Sequence, residues 1–407
     1  MHDYPAMYDT IPPPKGEPEI AHIFSDEKFI DSARYYFELV APGASQYFLV
    51  SEDVSAIKYI KTFNPQKIDA KTARESSFVE KLNGFRAIVF HSMRPLHIDI
   101  LKLINKDPKV AWVGMGFDYL PLLYRNTKEL FQANTYRLYV KPSLRKPVHQ
   151  RIFRYLKKVA GSSRDPYKEA VYALGRTTIF SPVLEREFRL ISQEFHAVRG
   201  KYLRWNYGMN AKLVDNIDDA AVVFDENILI GNSADPRNNH IETFELLSNY
   251  ELGKKRIIVP LSYGSKNYAK FVMDHGRHFF GSRFEPIMEF MDYASYIRKI
   301  NSCSYVFMNH NRQQAGGNIL IALFSGAKLF LNQRNLFYED YLQMGIGDEV
   351  LACMNEDGVD IHSNTAFEYL KLTRAILKKE RGTEQQIANT QNLVDSITLQ
   401  PQAPVAF

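Results

Sequence analysis

The sequence predicts an α/β fold built on largely parallel sheets. Apolar runs of strand length recur along the chain, and each closes in a short loop rich in Gly, Ser, Asn or Asp. Most of these loops open a segment with apolar residues at helical spacing, so strands and helices alternate. The alternation occupies both halves of a 407-residue chain, which is long enough for two domains of ordinary size.

Residues 1–19, with Pro12-Pro13-Pro14, read as a disordered arm or leader outside the fold, without the basic-then-apolar order of a signal peptide. The first domain is assigned to 20–200. It opens with a strand at Ile20–Phe24 and a helix over Asp26–Val40, whose Phe29, Ile30, Ala33, Phe37 and Val40 share a face. Strands follow at Gln46–Val50, Arg86–Phe90, Lys109–Gly114 and Thr177–Phe180, with helices over Ala73–Leu82, 95–105 and Pro182–Phe195. After a strand near Ala220–Phe224, the second domain covers 220–365. In it three apolar strands end in small polar loops: Gly231–Asp235, Ser262-Tyr263-Gly264 and Asn311–Asn318. Ile319–Leu331 reads as a buried helix and a following strand, and 366–407 as two closing helices and a tail.

Composition narrows the class. Hydrophobic residues make up 45% and charged residues 24%, the balance of a globular protein that forms cores unaided. The two cysteines, Cys303 and Cys353, are too few for a disulfide framework and lack metal-ligand spacing, which fits a reducing cytoplasm. No run reaches the roughly 18 apolar residues of a membrane span. Between Leu130 and Arg164 stand nine Lys or Arg and no Asp or Glu; subtracting those nine from the chain's +5 leaves −4 elsewhere. Within this window Val148, Ile152, Tyr155, Leu156 and Val159 fall on one helical face, while Arg151, Arg154, Lys157 and Lys158 lie opposite or flanking. That is the pattern of an amphipathic helix on an anionic membrane surface, or of a solvated basic face. No reading requires a nucleic-acid partner.

The strand-end loops carry the chemistry. Ligands of parallel sheets bind at the carboxyl ends of the strands, where helix N-termini offer free N–H groups to anions. Arg312 supplies a planar fork suited to phosphate oxygens. Gly316 and Gly317 let the backbone approach a ligand, and the amides of Gln313, Gln314 and Asn318 suit hydroxyls or a base edge. Asn232 and Ser233 can donate to a phosphate or sugar, unless Asp235-Pro236 simply starts the next helix. Tyr263 stacks on a nucleobase or is structural. In the first domain Asp118, just past a strand, is a general base or a helix cap; His91, also past a strand, is a base or a structural histidine. There is no HxxxH or DxD cluster, so no metal or other cofactor is expected.

Four segments in order and spacing, ILIGNSADPRNNH, IIVPLSYG, NHNRQQAGGNI and NLFYEDYLQMG, resemble the 4-alpha-L-fucosyltransferase family. Its members add 4-acetamido-4,6-dideoxygalactose from a dTDP-sugar to an undecaprenyl-diphosphate-linked saccharide of enterobacterial common antigen. A weaker likeness covers HIFSDEKFIDSARYYF and Trp112–Tyr119, where Met115 replaces the family's second Trp. The resemblance implies a GT-B arrangement, two Rossmann-like domains facing a cleft, with the donor in the second domain and the acceptor in the first. It places Asn232, Ser233, Ser262, Tyr263, Gly264, Arg312, Gln313, Gln314, Gly316, Gly317 and Asn318 at the donor, and Asp118 on the acceptor side. The implied protein is a peripheral glycosyltransferase at the cytoplasmic face of the inner membrane. Its rivals are a GT-B nucleotide-sugar epimerase or hydrolase, and a non-catalytic polysaccharide- or lipid-binding module.

Overall fold

The computed structural model describes residues 16–25, 29–54, 57, 59–144, 164–196, 198–207, 214–215, 225–354 and 358–399. The chain divides into two compact units. One takes His2–Arg125, Asp165–Asp215 and Arg381–Phe407; the other takes Asn126–Arg164 and Asn216–Glu380.

The first unit is built on a seven-stranded sheet of β1 (Ile20–Phe24), β2 (Ser45–Ser51), β3 (Gln66–Asp69), β4 (Ala87–His91), β5 (Lys109–Val113), β6 (Ile179–Ser181) and β7 (Lys201–Tyr202). Their order is 3-2-1-4-5-6-7, and every pairing is parallel. Successive side chains leave opposite faces of a strand, and both faces here are apolar, as a doubly covered sheet requires. On one face Ile23, Phe48, Ile88, Phe90 and Trp112 pack under α2 (Ser76–Asn83), α3 (Pro95–Leu103), α4 (Pro166–Arg176) and α5 (Glu185–Glu194). On the other, Leu49, Val89 and Val113 pack with Ile30, Ala33 and Phe37 of α1 (Ile30–Val40) and with Leu393, Val394 and Ile397 of the helix Thr383–Thr398. The C-terminal helix therefore completes the first unit's core.

The second unit's sheet holds β8 (Asn227–Ile230), β9 (Ile257–Pro260), β10 (Phe284–Ile287), β11 (Cys303–Met308), β12 (Lys328–Asn332) and β13 (Leu351–Met354). The order is 10-9-8-11-12-13, again all parallel. This is the doubly wound order in which the chain reverses direction between the first strand and the fourth. The reversal falls between β8 and β11, whose carboxyl ends carry two of the loops singled out in the sequence. Ile228, Ile230, Ile257, Val259 and Phe307 form the core with Phe244 and Leu247 of α6 (His240–Leu247) and Tyr268 and Val272 of α7 (Lys266–Phe280), and α8 (Tyr293–Asn301) leads into β11.

One boundary differs from the sequence division. Residues 126–144 stand in the first half of the chain but pack on the second unit. Thr135 donates from its backbone N and from Oγ1 to Glu242, at 2.7 and 2.6 Å, and Asn134 Nδ2 donates to Glu245 at 2.6 Å. The Tyr139 ring lies 4.8 Å from Tyr268 and 5.0 Å from Phe271. The segment is helical from Ala133 to Ser143, with a π-helical stretch at Tyr136–Val140. Arg151, Arg154, Lys157 and Lys158, and the strand expected near Ala220–Phe224, lie outside the described residues. Among the described residues no helix is long and apolar enough to cross a membrane.

Candidate functional site

The loop after β8 turns at once. Gly231 adopts φ +67°, and a Cβ there would sit 2.6 Å from Asn238 Oδ1 and 2.8 Å from His240 Nε2, so the turn requires glycine. The chain then runs through Asn232, Ser233 and Ala234 to Asp235, whose carboxylate accepts the Arg237 backbone N–H at 2.9 Å and pairs with the Arg237 guanidinium. Burial works against the charged carboxyl, but Arg237, with Arg312 behind it, holds Asp235 below its usual pKa. Asp235 thus starts the 3-10 turn Pro236–Asn238 and is occupied there.

The β9 loop is zipped to the β8 loop. Ala234 N donates to Tyr263 O at 2.7 Å, and Ser265 N donates to Ala234 O at 2.9 Å. Gly264, at φ +118°, leaves no room for a Cβ, which would meet Ala234 O at 2.5 Å. Ser262 and Gly264 are exposed, and Tyr263 is 68% exposed. Ser265 caps α7 by accepting from Tyr268 N.

The β11 loop carries Asn309 to Ala315. Ala315 lies in the left-handed region at φ +62°, which turns the chain into α9 (Gly316–Ser325). Gly316 and Gly317 therefore form the first turn of that helix, whose unpaired N–H groups face the loop end. A Cβ on Gly316 would touch Phe337 Cζ at 3.0 Å, so packing also favours glycine there. Arg312 is buried, and its Nη1 donates to Gln313 O at 2.8 Å. Gln313 is buried beside it. Gln314 Nε2 reaches across to Asn232 Oδ1 at 3.4 Å, joining two residues that the sequence assigned to one site. Asn318 is committed elsewhere, donating to Tyr296 OH at 2.7 Å.

Beneath the loops is a layer of amides and imidazoles that sequence reasoning missed. Asn238 Oδ1 accepts from Asn232 N and from His310 Nε2, both at 2.9 Å. Asn239, left-handed at φ 50°, donates to Asn309 O at 2.7 Å, and Asn309 Nδ2 donates to Thr243 Oγ1 at 3.0 Å. Burial pushes both His240 and His310 down to about 3, and Arg312 adds to the effect on His310, so both rings are neutral. The available signal was the density of asparagine in Arg-Asn-Asn-His and Asn-His-Asn. Asparagine tolerates left-handed turns and offers donors and acceptors from one short side chain.

The two candidate bases, His91 and Asp118, lie in the first unit. His91 is fully buried at the end of β4, with Nε2 2.9 Å from His22 Nδ1 and Nδ1 3.2 Å from Tyr207 OH; burial pushes it down to about 3. Both ring nitrogens are engaged, and neither reaches the surface. Asp118 does not cap a helix. Its Oδ2 accepts from Trp112 Nε1 at 2.7 Å and Met93 N at 3.0 Å, and Oδ1 accepts from Met115 N at 2.9 Å. It ties the β4 and β5 loops together at the carboxyl edge. Burial raises its pKa despite those three donors. Among the described residues no group of three or more His, Cys, Asp or Glu is arranged to hold a metal.

Residues 178–360, a little under half of the chain, match the model of the family described as 4-alpha-L-fucosyltransferase glycosyl transferase group 56. The match spans all three strand-end loops. The protein is a glycosyltransferase. Its fold is that of GT-B enzymes, two Rossmann-like α/β domains, shared with solved structures of very low sequence identity. A glycosyltransferase from Rickettsia africae superposes with a TM-score of 0.61 at 9% identity, over 95% of this chain and 100% of that one. An E. coli structure described as trehalose-6-phosphate bound with UDP-2-fluoro glucose gives 0.56 at 9% identity, covering 94% and 100%. Anabaena HepE in complex with UDP and glucose gives 0.53 at 10%, covering 93% and 95%. Doubly wound sheets in general receive ligands at such a reversal of strand order, which here falls between β8 and β11.

Proposed function

We propose that this glycosyltransferase moves a deoxyamino sugar of the 4-acetamido-4,6-dideoxygalactose kind from a dTDP-sugar to an undecaprenyl-diphosphate-linked saccharide, in surface-polysaccharide assembly such as that of enterobacterial common antigen. It does so as a peripheral protein at the cytoplasmic face of the inner membrane. The observation that carries the donor half of this reading is the convergence of the Gly231–Asp235 and Asn309–Ala315 loops on the N-terminus of α9. The family motifs support the sugar and the acceptor, and the basic stretch around Arg151–Lys158 supports the membrane surface.

The chemistry divides between two tasks. The departing diphosphate needs its growing charge stabilised, and Arg312 with the N–H groups of Gly316 and Gly317 supplies fixed positive potential there. Asn232, Ser233 and Gln314 would hold the phosphates and sugar, and the exposed Tyr263 ring would cover the base. The attacking hydroxyl must lose a proton. Asp118 is the base of this reading: its pKa is raised, and about four lone-pair directions on a carboxylate exceed the three N–H donors it accepts.

A panel of nucleotides and nucleotide-sugars tests the reading by thermal stabilisation, with dTDP-sugars against UDP-sugars as the control suggested by the UDP of the similar structures. A ligand at 100 times its Kd adds about 2.7 kcal/mol. Selective stabilisation by dTDP compounds, followed by transfer to a lipid-linked saccharide, is the expected result. Donor hydrolysis or epimerisation without transfer would replace it with the epimerase reading. No stabilisation by any nucleotide would end it.

A further inference from the structure

We propose that Asn238 is a positioning residue of the donor site, setting the spacing between the β8 and β11 loops; the role rests on the donor-site reading above. Its side chain is completely buried. Oδ1 receives the Asn232 backbone N–H and His310 Nε2, each at 2.9 Å. Nδ2 donates to Ser233 O at 3.1 Å and to Asp235 O at 3.0 Å, with Ser233 Oγ at 3.3 Å. Because the amide N–H groups meet carbonyl oxygens, the orientation of the amide is fixed, and His310 must carry its proton on Nε2.

Two donors and two acceptors are thus all used, by both loops at once. The last backbone bond between the strands is Gly231 N to Phe307 O, at 2.9 Å. Past it, amide side chains join the loops: Asn238 to His310, Asn239 to Asn309 O, and Gln314 to Asn232. Of these, Asn238 also shapes the β8 loop itself, by holding Asn232, Ser233 and Asp235 in one turn. Groups that bind a diphosphate work at about 2.7–3.1 Å, and a displacement of about 1 Å is costly. The Asn238 amide, bonded to both loops, sets where Asn232 and Ser233 on one stand relative to Arg312 and Gln314 on the other.

The alternatives at this position fail for stated reasons. Aspartate keeps the acceptors but sets an oxygen against the Ser233 and Asp235 carbonyls. Glutamine is one methylene longer, and Gly231 already lies where a Cβ would be 2.6 Å from Oδ1. His310→Leu probes the link between the loops alone, since it replaces a neutral buried ring with an apolar side chain of similar bulk.

The test measures dTDP and UDP affinity by calorimetry for wild type, Asn238→Asp, His310→Leu and Val272→Ala. Val272 lies in the α7 core and makes none of the side-chain hydrogen bonds that join the loops, so truncating it loosens the unit while leaving those bonds in place. Asn238→Asp and His310→Leu are expected to bind the nucleotide at least tenfold more weakly than wild type, while Val272→Ala binds as wild type does. Wild-type protein that binds neither nucleotide overturns the donor-site reading and this role with it. Wild-type binding that persists within twofold in His310→Leu, or in a folded Asn238→Asp, overturns the positioning role alone. So does an equal loss in Val272→Ala, which would trace the effect to general loosening.

Discussion

Gly231 stands so close to Asn238 that a Cβ on residue 231 would lie 2.6 Å from the Asn238 side-chain oxygen. The backbone there is also left-handed, at φ +67°. Gly231→Ala meets both obstacles together. A strained backbone position of this kind costs on the order of 1–3 kcal/mol, so chemical denaturation should show a loss of that size, accompanied by weaker nucleotide binding. Unchanged stability would mean that the turn relaxes around alanine.

Arg312 offers a test of charge. Arg312→Ala should lower turnover on the order of a hundredfold, the scale of losing one preorganised contact to a developing anion. Arg312→Lys should restore little, because a point charge lacks the planar fork. Steady-state kinetics with the purified protein decides the matter, and near-normal turnover in Arg312→Ala would remove the residue from the leaving-group site.

Asp118→Asn separates two roles that one carboxylate can hold. An amide turns an acceptor into a donor that faces either Met115 N–H or the Trp112 and Met93 pair. Losing such bonds should cost about 1–3 kcal/mol of stability and alter fluorescence, since Trp112 is one of only two tryptophans. If Asp118 is also the base, transfer collapses while nucleotide binding persists. Transfer within a fewfold of wild type would leave it the structural role only.

Buried histidines predict an acid limit. His91, His240 and His310 at about 3 and His97 at about 4 stay neutral in the fold, because burial opposes their charged form. The unfolded chain takes up these protons near pH 6.5. Between those values the unfolded state holds more protons, so stability rises with pH. The contribution is complete above about 6.5 and is lost as pH falls towards 4, at roughly 1.4 kcal/mol per pH unit for each histidine. Thermal unfolding at pH 7, 6 and 5 should show a falling Tm; a flat profile contradicts the burial of these rings.

The basic stretch makes a prediction about compartment. Replacing Arg151, Arg154, Lys157 and Lys158 with Gln should release the protein from anionic vesicles, since each such charge contributes about 1 kcal/mol near the surface. High salt should weaken wild-type binding. Flotation assays read the result, and a wild-type protein that stays in the aqueous fraction at low salt ends the membrane assignment.

What the sequence showed and hid follows from the reach of each interaction. Ile20–Phe24 was legible to the residue, and β11 and α9 were close, because their apolar periodicity is local. The edge strands β3, β10 and β13 were not read: Gln66–Asp69 and Phe284–Glu285-Pro286-Ile287 are short and partly polar, and pairing with a neighbour makes them strands. Gly231 and Arg312 were found by residue type. Asn238 and His310 were not, because their bond spans 72 positions and nothing local marks it. The placement of Thr135 on Glu242, 107 positions away, escaped for the same reason.

That last contact and the helix Thr383–Thr398 have a consequence for how the protein is made. Synthesis runs from the N-terminus, so Thr135 and Tyr139 leave the ribosome long before Glu242, Tyr268 and Phe271 exist to receive them. The first unit, in turn, waits with its Val89 and Val113 face only partly covered, by Ile30, Ala33 and Phe37 of α1, until Leu393, Val394 and Ile397 have been added. Domains that fold as each is completed gain from early closure. Here the earlier half is completed only after the helix Thr383–Thr398 has been made, later than the strands of the second unit, and a nascent chain interrupted around residue 200 leaves part of an apolar sheet face for chaperones to guard.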